Sequence, residues 1–153
     1  MHPNAEHVAA TLRALGAEGE VRELMIAATT AALAAEALGV EVGAIANSLI
    51  FRSEEPVLIL ASGAHRVDTA KAAALLDLPG LERADADYVR AATGQPIGGV
   101  APVGHPRPLR TAVDITLAAH PVVWCGAGAP HTVFDTCYEE LLRLTGGRSI
   151  EVI

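Results

Sequence analysis

Thr-Gly-Gln-Pro-Ile-Gly-Gly-Val-Ala-Pro-Val-Gly-His, residues 93–105, constrains the backbone more than any other stretch of the chain. Its glycines can adopt positive φ angles or let another group approach the main chain closely, and Pro96 and Pro102 fix φ and remove hydrogen-bond donors. This glycine–proline loop has almost no ionisable side chains, so any chemistry there would use backbone N–H and C=O groups, which can stabilise an oxyanion or position a water. A tight connection between two strands is the alternative interpretation.

The glycine spacing of the loop excludes the common nucleotide-binding motifs. A phosphate-binding P-loop needs Gly-Lys-Ser/Thr, and no lysine is near. A dinucleotide fingerprint needs G-x-G-x-x-G at the start of a helix. Here the spacing is G-x-x-x-G-G-x-x-x-x-G, and Pro102 and Pro106 oppose a helix. We therefore expect no cofactor.

Length and composition predict one globular domain over residues 1–153. The chain is 51% hydrophobic, 19% charged and only 3% aromatic, so its core is expected to be aliphatic. No apolar run approaches the roughly 20 residues of a membrane span, and the N-terminal residues lack the basic region of a signal peptide. We therefore expect a cytoplasmic protein that does not engage a membrane. Cys125 and Cys137 have no CxxC or histidine-rich partner, which favours reduced thiols and no metal site.

The net charge of −7 argues against a free-standing DNA-binding protein, which is usually basic over its contact face. Lys71 is the only lysine, and the other ten cationic residues are arginines. A polyanionic partner would have to be held locally and weakly, or be presented by another protein.

The pattern of apolar runs, caps and turns predicts an α/β (α+β) fold. Two short apolar runs, 48–51 and 57–60, flank a polar turn and predict a hairpin, which favours a mixed, largely antiparallel sheet or partly open barrel with surrounding helices over a doubly wound fold. The predicted helices are 4–15, a helix that is capped by Thr29 or Thr30 and runs through Leu38, 69–77 (capped by Asp68), 86–92 (capped by Asp85) and about 136–144. Further strands are predicted at 20–26, 109–115, 121–125, 131–134 and 151–153.

Three other segments accompany the loop in a recognisable order. They are Ile45-Ala-Asn-Ser-Leu-Ile-Phe51, Val67-Asp-Thr-Ala-Lys71 and Ala127-Gly-Ala-Pro-His131. Together with Thr93–Gly104, which fits a Thr-Gly-x-x-x-Gly-Gly-x-x-Pro-x-Gly pattern, they resemble the YbaK family of aminoacyl-tRNA editing domains over about residues 29–148. Members of this family are free-standing or synthetase-associated deacylases that clear wrong amino acids, notably Cys or Ala, from proline tRNA.

The resemblance implies a YbaK-like, partly open barrel and hydrolysis of the ester that joins an amino acid to the 3′-terminal ribose of tRNA. The implied partner is the 3′ end of a mischarged tRNA, with a synthetase or an elongation factor as a further partner. At the position of a family lysine this chain has Asn47, which can donate and accept hydrogen bonds but carries no charge. The resemblance places catalytic groups at Gly98, Gly99 and His131, and substrate contacts at Asn47, Ser48, Asp68, Lys71, Thr93, Gly94, Pro102 and Gly104.

Several of these residues have a structural alternative. Asn47 can satisfy a turn, Asp68 can cap a helix and pair with Lys71, and His131 can be an ordinary exposed loop histidine. Asp114, on a predicted strand, can orient a pocket group or cap the next turn.

Two weaker candidates are His65 and His105, both in predicted loops. The missing lysine keeps a second function open, in which the same fold is a non-catalytic module that binds a small molecule or a protein.

Overall fold

The structure, a computed structural model that describes residues 1–153, is an open eight-stranded sheet with five α-helices. The helices are α1 (Pro3–Ala14), α2 (Ala31–Leu38), α3 (Thr69–Leu75), α4 (Ala86–Thr93) and α5 (Tyr138–Thr145). The strands are β1 (Val21–Glu23), β2 (Ile45–Arg52), β3 (Pro56–Ser62), β4 (Glu82–Arg83), β5 (Arg110–Asp114), β6 (Val123–Gly126), β7 (Thr132–Thr136) and β8 (Arg148–Ile150). None of the helices combines the length and the apolarity that crossing a bilayer requires.

The sheet is mixed and mostly antiparallel, which confirms the predicted fold class. Its strand order is β1-β7-β6-β2-β3-β5-β8, and β4 also pairs with β2. The β1/β7, β6/β7, β2/β3 and β2/β4 pairs are antiparallel, whereas β2/β6, β3/β5 and β5/β8 are parallel. The hairpin is the predicted one, with each strand extended beyond the apolar run that indicated it.

Along one edge of β2, a short stretch has no neighbouring strand. β6 pairs with Ile45–Ala46 at the start of the strand, and β4 pairs with Phe51–Arg52 at its end. Residues 47–50 therefore have β3 on one side and no strand on the other. This gap is where the sheet fails to close.

Helices cover both faces of the sheet. On one face, α1, α4 and α5 pack on an aliphatic cluster that includes Val8, Leu58, Leu60 and Leu141. On the other face, α3 packs against alternate residues of β3 and α2 packs against β2, β6 and β7. The strand β3 is buried on both faces, so its sequence is a continuous apolar run instead of an alternating one.

The predicted helix caps are confirmed. Thr30, Asp68 and Asp85 each accept a hydrogen bond from a backbone N–H in the first turn of α2, α3 and α4. Gly39 and Gly146 follow α2 and α5 with φ of +67° and +63°, where the left-handed conformation ends a helix at little steric cost.

The predicted terminal strand at 151–153 is wrong. The last strand is β8, which ends at Ile150 and pairs with β5, and residues 151–153 form no strand. The apolar side chain of Val152 is buried, and its carbonyl accepts a hydrogen bond from Asp68 N–H, so the last residues pack against the start of α3. The predicted strand at 20–26 is also shorter, since only β1 finds a partner, in β7.

Candidate functional site

The glycine–proline loop is held from inside by one amide side chain. Gln95 is buried, and its Nε2 donates to Val103 O at 3.2 Å while its Oε1 accepts from Ala101 N–H at 2.7 Å. Thr93 Oγ1 donates to Val89 O at 2.7 Å and accepts from Gln95 N–H at 3.0 Å, which joins the loop to α4. The loop is therefore a fixed scaffold for the backbone groups at its tip.

The tip of the loop is a turn with the left-handed residue that a type II turn requires. Gly99 N–H donates to Pro96 O at 2.9 Å, and Gly98 has a φ of +84°. Gly99 O also accepts a hydrogen bond from Gly128 N–H at 2.8 Å, so the N–H and the C=O of Gly99 both hold the loop in place. The N–H groups of Gly98 and Val100 donate to no protein acceptor. Of the two predicted catalytic glycines, Gly98 has the free N–H.

A small chamber lies beside this turn, between α2, the start of β2 and β6. Its volume is about 50 Å³. Gly98, Val100, Asn47 and Ser48 are among its lining residues. The others are mostly small or apolar: Ala28, Thr29, Thr30, Ala31, Ala34, Ile45, Ala46, Trp124, Cys125, Gly126 and Val133.

Cys125 is among the residues that line the small chamber, but its buried thiol is unsuited to act as a nucleophile. Cys125 is 1% exposed, and burial raises the pKa of its thiol far above the ordinary range, with a further contribution from the negative charge of Glu140. A thiol that keeps its proton neither attacks an ester nor binds a metal readily.

A large chamber of about 360 Å³ adjoins the small one farther along β2, where Asn47–Phe51 line it. It lies against the gap in β2 and carries the cationic and titratable side chains of the site, His65, Arg66 and Arg83. The remaining lining residues are Asn47, Ser48, Leu49, Ile50, Phe51, Val67, Thr69, Ala84, Val89, Ile97 and Val100.

The two chambers meet at the only three residues that line both of them, Asn47, Ser48 and Val100. Ser48 Oγ is buried without a hydrogen-bond partner, and the Asn47 amide makes no hydrogen bond within the protein. Ile45 O accepts from Gly63 N–H on the β3 side, so the alternation of the strand turns the backbone groups of Ser48 toward the gap. Unsatisfied donors and acceptors therefore converge at the junction, where a bound molecule can satisfy them.

A buried carboxylate holds the histidine of the large chamber. Asp114 is fully buried, and its oxygens accept from Ser62 N–H (3.0 Å), Thr116 N–H (3.0 Å), Thr116 Oγ1 (2.7 Å) and His65 Nδ1 (3.1 Å). Burial by itself would raise the pKa of Asp114, but these hydrogen bonds outweigh it and the pKa lies below its ordinary value. Asp114 both orients a pocket residue and caps the following 3₁₀ turn, so the two predicted roles hold together.

Three predicted site residues that are not part of the glycine–proline loop lie outside both chambers. His131 is exposed between β1 and β7, with its Nδ1 3.3 Å from Leu24 O. Lys71 Nζ donates to Glu151 Oε2 at 3.0 Å and to the carbonyl of the C-terminal residue. Asp68 caps α3 by accepting Lys71 N–H at 3.1 Å. These contacts give each of the three a structural role at its own position.

The other predicted loop residues frame the loop from behind. Thr93, Gly94 and Gly104 line a separate polar cavity next to α1, and Pro102 lines a third cavity behind the loop. Gly104 has a φ of +85°, and a Cβ there would lie 3.3 Å from side-chain carbons of α1. Beside it, His105 donates through Nε2 to Ala101 O at 2.8 Å, and burial lowers its pKa.

Sequence reasoning missed Gln95, Arg66 and Arg83. Gln95 occupies a variable position of the loop pattern, so nothing marked it as the residue that ties the loop together. Arg66 directly precedes the Val67-Asp68 segment that carried the resemblance, and this adjacency was the available indication.

Comparison with known proteins gives a consistent family. A family model described as an aminoacyl-tRNA editing domain matches residues 27–144. The solved structure of a "putative trans-editing enzyme for prolyl tRNA synthetase" is 40% identical, with a TM-score of 0.93 over 99% of this chain and 98% of that one. The structure of the hypothetical protein APE2540 is 27% identical, with a TM-score of 0.88 over 95% and 98% of the two chains.

A curated bacterial protein is also similar to this chain in sequence. It is the uncharacterized protein YwhH of Bacillus subtilis (strain 168), 29% identical over 126 residues, which span 81% of this chain and 80% of the relative.

Proposed function

The chain belongs to the aminoacyl-tRNA editing domain family, and on that premise we propose that it is a trans-acting deacylase. Its reaction is hydrolysis of the ester between a mischarged small amino acid and the 3′-terminal ribose of a tRNA. The observation that carries the proposal is the meeting of a small and a large chamber at Asn47, Ser48 and Val100. An aminoacyl ester has a short group on one side of its reactive carbonyl and a nucleotide on the other, and the junction separates the same two parts.

Size supports the assignment of the small chamber to the amino acid side chain. A cavity needs about 10–15 Å³ to hold one water, so about 50 Å³ has room for a few heavy atoms. The lining residues from α2 and β2 include Ala31, Ala34 and Ala46, which are small and buried. Such a site excludes larger side chains by steric conflict and gives only modest discrimination among smaller ones.

The chemistry at the junction uses water and fixed backbone donors. Water adds to the ester carbonyl, the resulting oxyanion accepts hydrogen bonds, and collapse breaks the bond to the ribose oxygen, which takes up a proton. The free N–H groups of Gly98 and Val100 are the candidate donors to this oxyanion. Because an aminoacyl ester is already activated, positioning and oxyanion stabilisation supply the catalysis.

The RNA is bound through the rim of the large chamber. Arg66 and Arg83 form no ion pair with a carboxylate of the chain and are exposed, so their guanidinium groups are available to phosphates. The net charge of −7 weakens the overall attraction to RNA. A synthetase or elongation factor that presents the tRNA would offset this.

The proposal is tested by a deacylation screen with purified protein. The substrates are proline tRNA charged with alanine, serine or cysteine, and correctly charged prolyl-tRNA and spontaneous hydrolysis are the references. We expect one of the small amino acids to be released faster than the spontaneous rate, with prolyl-tRNA left intact. A folded sample that accelerates none of the reactions, with or without prolyl-tRNA synthetase, would contradict a deacylase function.

Asn47 favours a second candidate function, a non-catalytic module that binds a small molecule or a protein. At this position the resemblance places a lysine, and an uncharged amide cannot supply a charge-assisted hydrogen bond to a phosphate or an oxyanion. The substitution Asn47→Lys separates the two functions. It should raise deacylation if the site is catalytic, and it should weaken or leave unchanged the binding of a native ligand if the site only binds.

A further inference from the structure

We infer that His65, locked by Asp114, is the residue that recognises a hydroxyl of the terminal ribose in the large chamber. The inference rests on the proposed function for the identity of the ligand, an RNA 3′ end. It adds a substrate-contacting side chain and a role for a buried carboxylate that lines neither chamber.

The hydrogen bonds around Asp114 determine the tautomer of the neutral His65 ring. An ionised carboxylate only accepts hydrogen bonds, and Asp114 has three other donors in Ser62 N–H, Thr116 N–H and Thr116 Oγ1. His65 Nδ1, at 3.1 Å from Asp114 Oδ2, must therefore carry a hydrogen. In the neutral imidazole this leaves Nε2 with a lone pair, so Nε2 is an acceptor.

The free edge of the ring belongs to the large chamber. His65 is among the residues that line it, its side chain is 21% exposed, and its only hydrogen-bond contacts from the ring are made by Nδ1. Nε2 is thus the one histidine nitrogen of the site that is both pre-oriented and without a protein partner.

An acceptor at this place selects a particular kind of ligand group. A phosphate oxygen cannot donate to Nε2, whereas a hydroxyl can. Arg66 and Arg83 line the same chamber and suit the phosphates of the same ligand. A hydroxyl donor beside phosphates describes the sugar of a ribonucleotide, and at an RNA 3′ end the ribose carries hydroxyls that a deoxyribose lacks.

The test compares short RNAs that differ by one hydroxyl. The probes are the trinucleotide CCA and its variants with a 2′-deoxy or 3′-deoxy terminal ribose, with affinities measured by NMR titration. For the wild-type protein we expect CCA to bind about two- to tenfold more tightly than one of the deoxy variants, the effect of a single hydrogen bond. In His65→Ala this ratio should fall to about one, and in His7→Ala, an exposed histidine of α1 outside both chambers, it should be unchanged.

NMR spectroscopy tests whether Asp114 sets the tautomer of the His65 ring. In ¹⁵N NMR spectra the wild-type His65 ring should show the Nδ1–H tautomer, and CCA should shift the Nε2 resonance. The isosteric Asp114→Asn offers an amide that can rotate its NH₂ toward Nδ1, so it should increase the Nε2–H tautomer and lower the hydroxyl discrimination. His65→Ala leaves three donors on Asp114 and keeps the test open if Asp114→Asn fails to fold.

The possible results separate this inference from the deacylase proposal. No CCA binding to the wild type, equal affinities for all three probes, or an Nε2–H tautomer in the wild type would overturn the role of His65. Absence of deacylation with hydroxyl discrimination intact would overturn the proposed reaction and keep the ribose contact. If the wild type deacylates and His65→Ala still discriminates between the probes normally, the role of His65 would be overturned and the proposed reaction would be kept.

Discussion

The two chambers that share β2 differ in how each obtains its chemistry. The small chamber has no charged lining residue, and its free donors at the loop turn are backbone N–H groups. The large chamber is lined by His65, Arg66 and Arg83, and a hydrogen-bond network that lies outside its lining fixes the first of these. A small cavity with free backbone donors and a large cavity with charged side chains thus adjoin each other along β2.

This difference predicts which property each substitution should change, cleavage of the ester or binding of an RNA end. A change in the small chamber should affect which ester is cleaved and how fast, and should leave binding of an RNA end intact. A change in the large chamber should affect binding of the RNA end first. When deacylation and RNA-end binding are measured in the same variant, a change in both would show that the chambers are not separate.

The largest expected effect is on catalysis in Gly98→Ala. At a φ of +84° a side chain is strained by about 1–2 kcal/mol, and a Cβ would lie 3.2 Å from Thr29 O, so the turn must shift. We expect deacylation to fall by about 100-fold, the order seen when one oxyanion donor is lost, while CCA binding stays within about twofold. Rates are measured at saturating substrate and binding by NMR titration.

Gly80→Ala is the matched control, because Gly80 has no atom within 4 Å of an added Cβ and does not have a positive φ. It should behave like the wild type in both assays. Full activity of a folded Gly98→Ala protein would rule out a role for the backbone of this turn.

The next effect concerns the size of the small chamber. Ala34 lies on α2 and is buried at the chamber wall, so Ala34→Leu should fill the space that a substrate side chain needs. We expect kcat/KM for the preferred aminoacyl-tRNA to fall by at least about 10- to 200-fold, the range that one misplaced methylene group produces. Binding of CCA in the large chamber should not change.

Ala37→Leu on the exposed face of the same helix is the control, since it makes the same chemical change outside the chamber. If both variants lose activity equally, the loss comes from α2 as a whole and the assignment of the small chamber is wrong.

A third effect appears in stability and depends on pH. The pKa of Asp114 is lower in the folded protein than its ordinary value of about 4, so its contribution to stability is complete above that value and is lost as the pH falls through the folded-state pKa. We expect Asp114→Asn to lower the free energy of unfolding at pH 7 by about 1.5–3 kcal/mol, as hydrogen bonds to a charged group weaken. The deficit should shrink in acid. Urea unfolding between pH 7 and pH 2.5 measures it.

Asp87→Asn, an exposed carboxylate in the first turn of α4, provides the comparison for a general effect of charge. A deficit for Asp114→Asn that is the same at every pH would mean that the carboxylate contributes through packing alone.

The parts of the molecule that were predictable from the sequence depend on neighbours along the chain. Thr30, Asp68 and Asp85 cap helices that begin at the next residue, and Gly98 supplies a turn that closes over four residues. Such features need no knowledge of the rest of the fold.

The polar wall of the large chamber depends on distant pairings, and sequence reasoning placed it poorly. His65 and Asp114 are 49 residues apart, and they meet because β3 and β5 pair in parallel just before each of them. Gln95 looks like one more polar loop residue until the loop folds around it. The strand at 151–153 failed for a related reason, because tertiary burial of Val152 decides the path of the last residues.

The smallest expected effect marks the outer limit of the site. The sequence made Lys71 a candidate substrate contact, but its Nζ is held by Glu151 and by the C-terminal carbonyl, outside both chambers. A partly exposed ion pair of this kind contributes about 0.2–1 kcal/mol. Lys71→Ala should therefore lower the free energy of unfolding by less than about 1 kcal/mol and leave deacylation and CCA binding unchanged. Glu151→Gln, which removes the partner charge, should give a similar loss of stability. If Lys71→Ala weakens CCA binding while Glu151→Gln does not, the lysine contacts the RNA directly and the large chamber extends to α3.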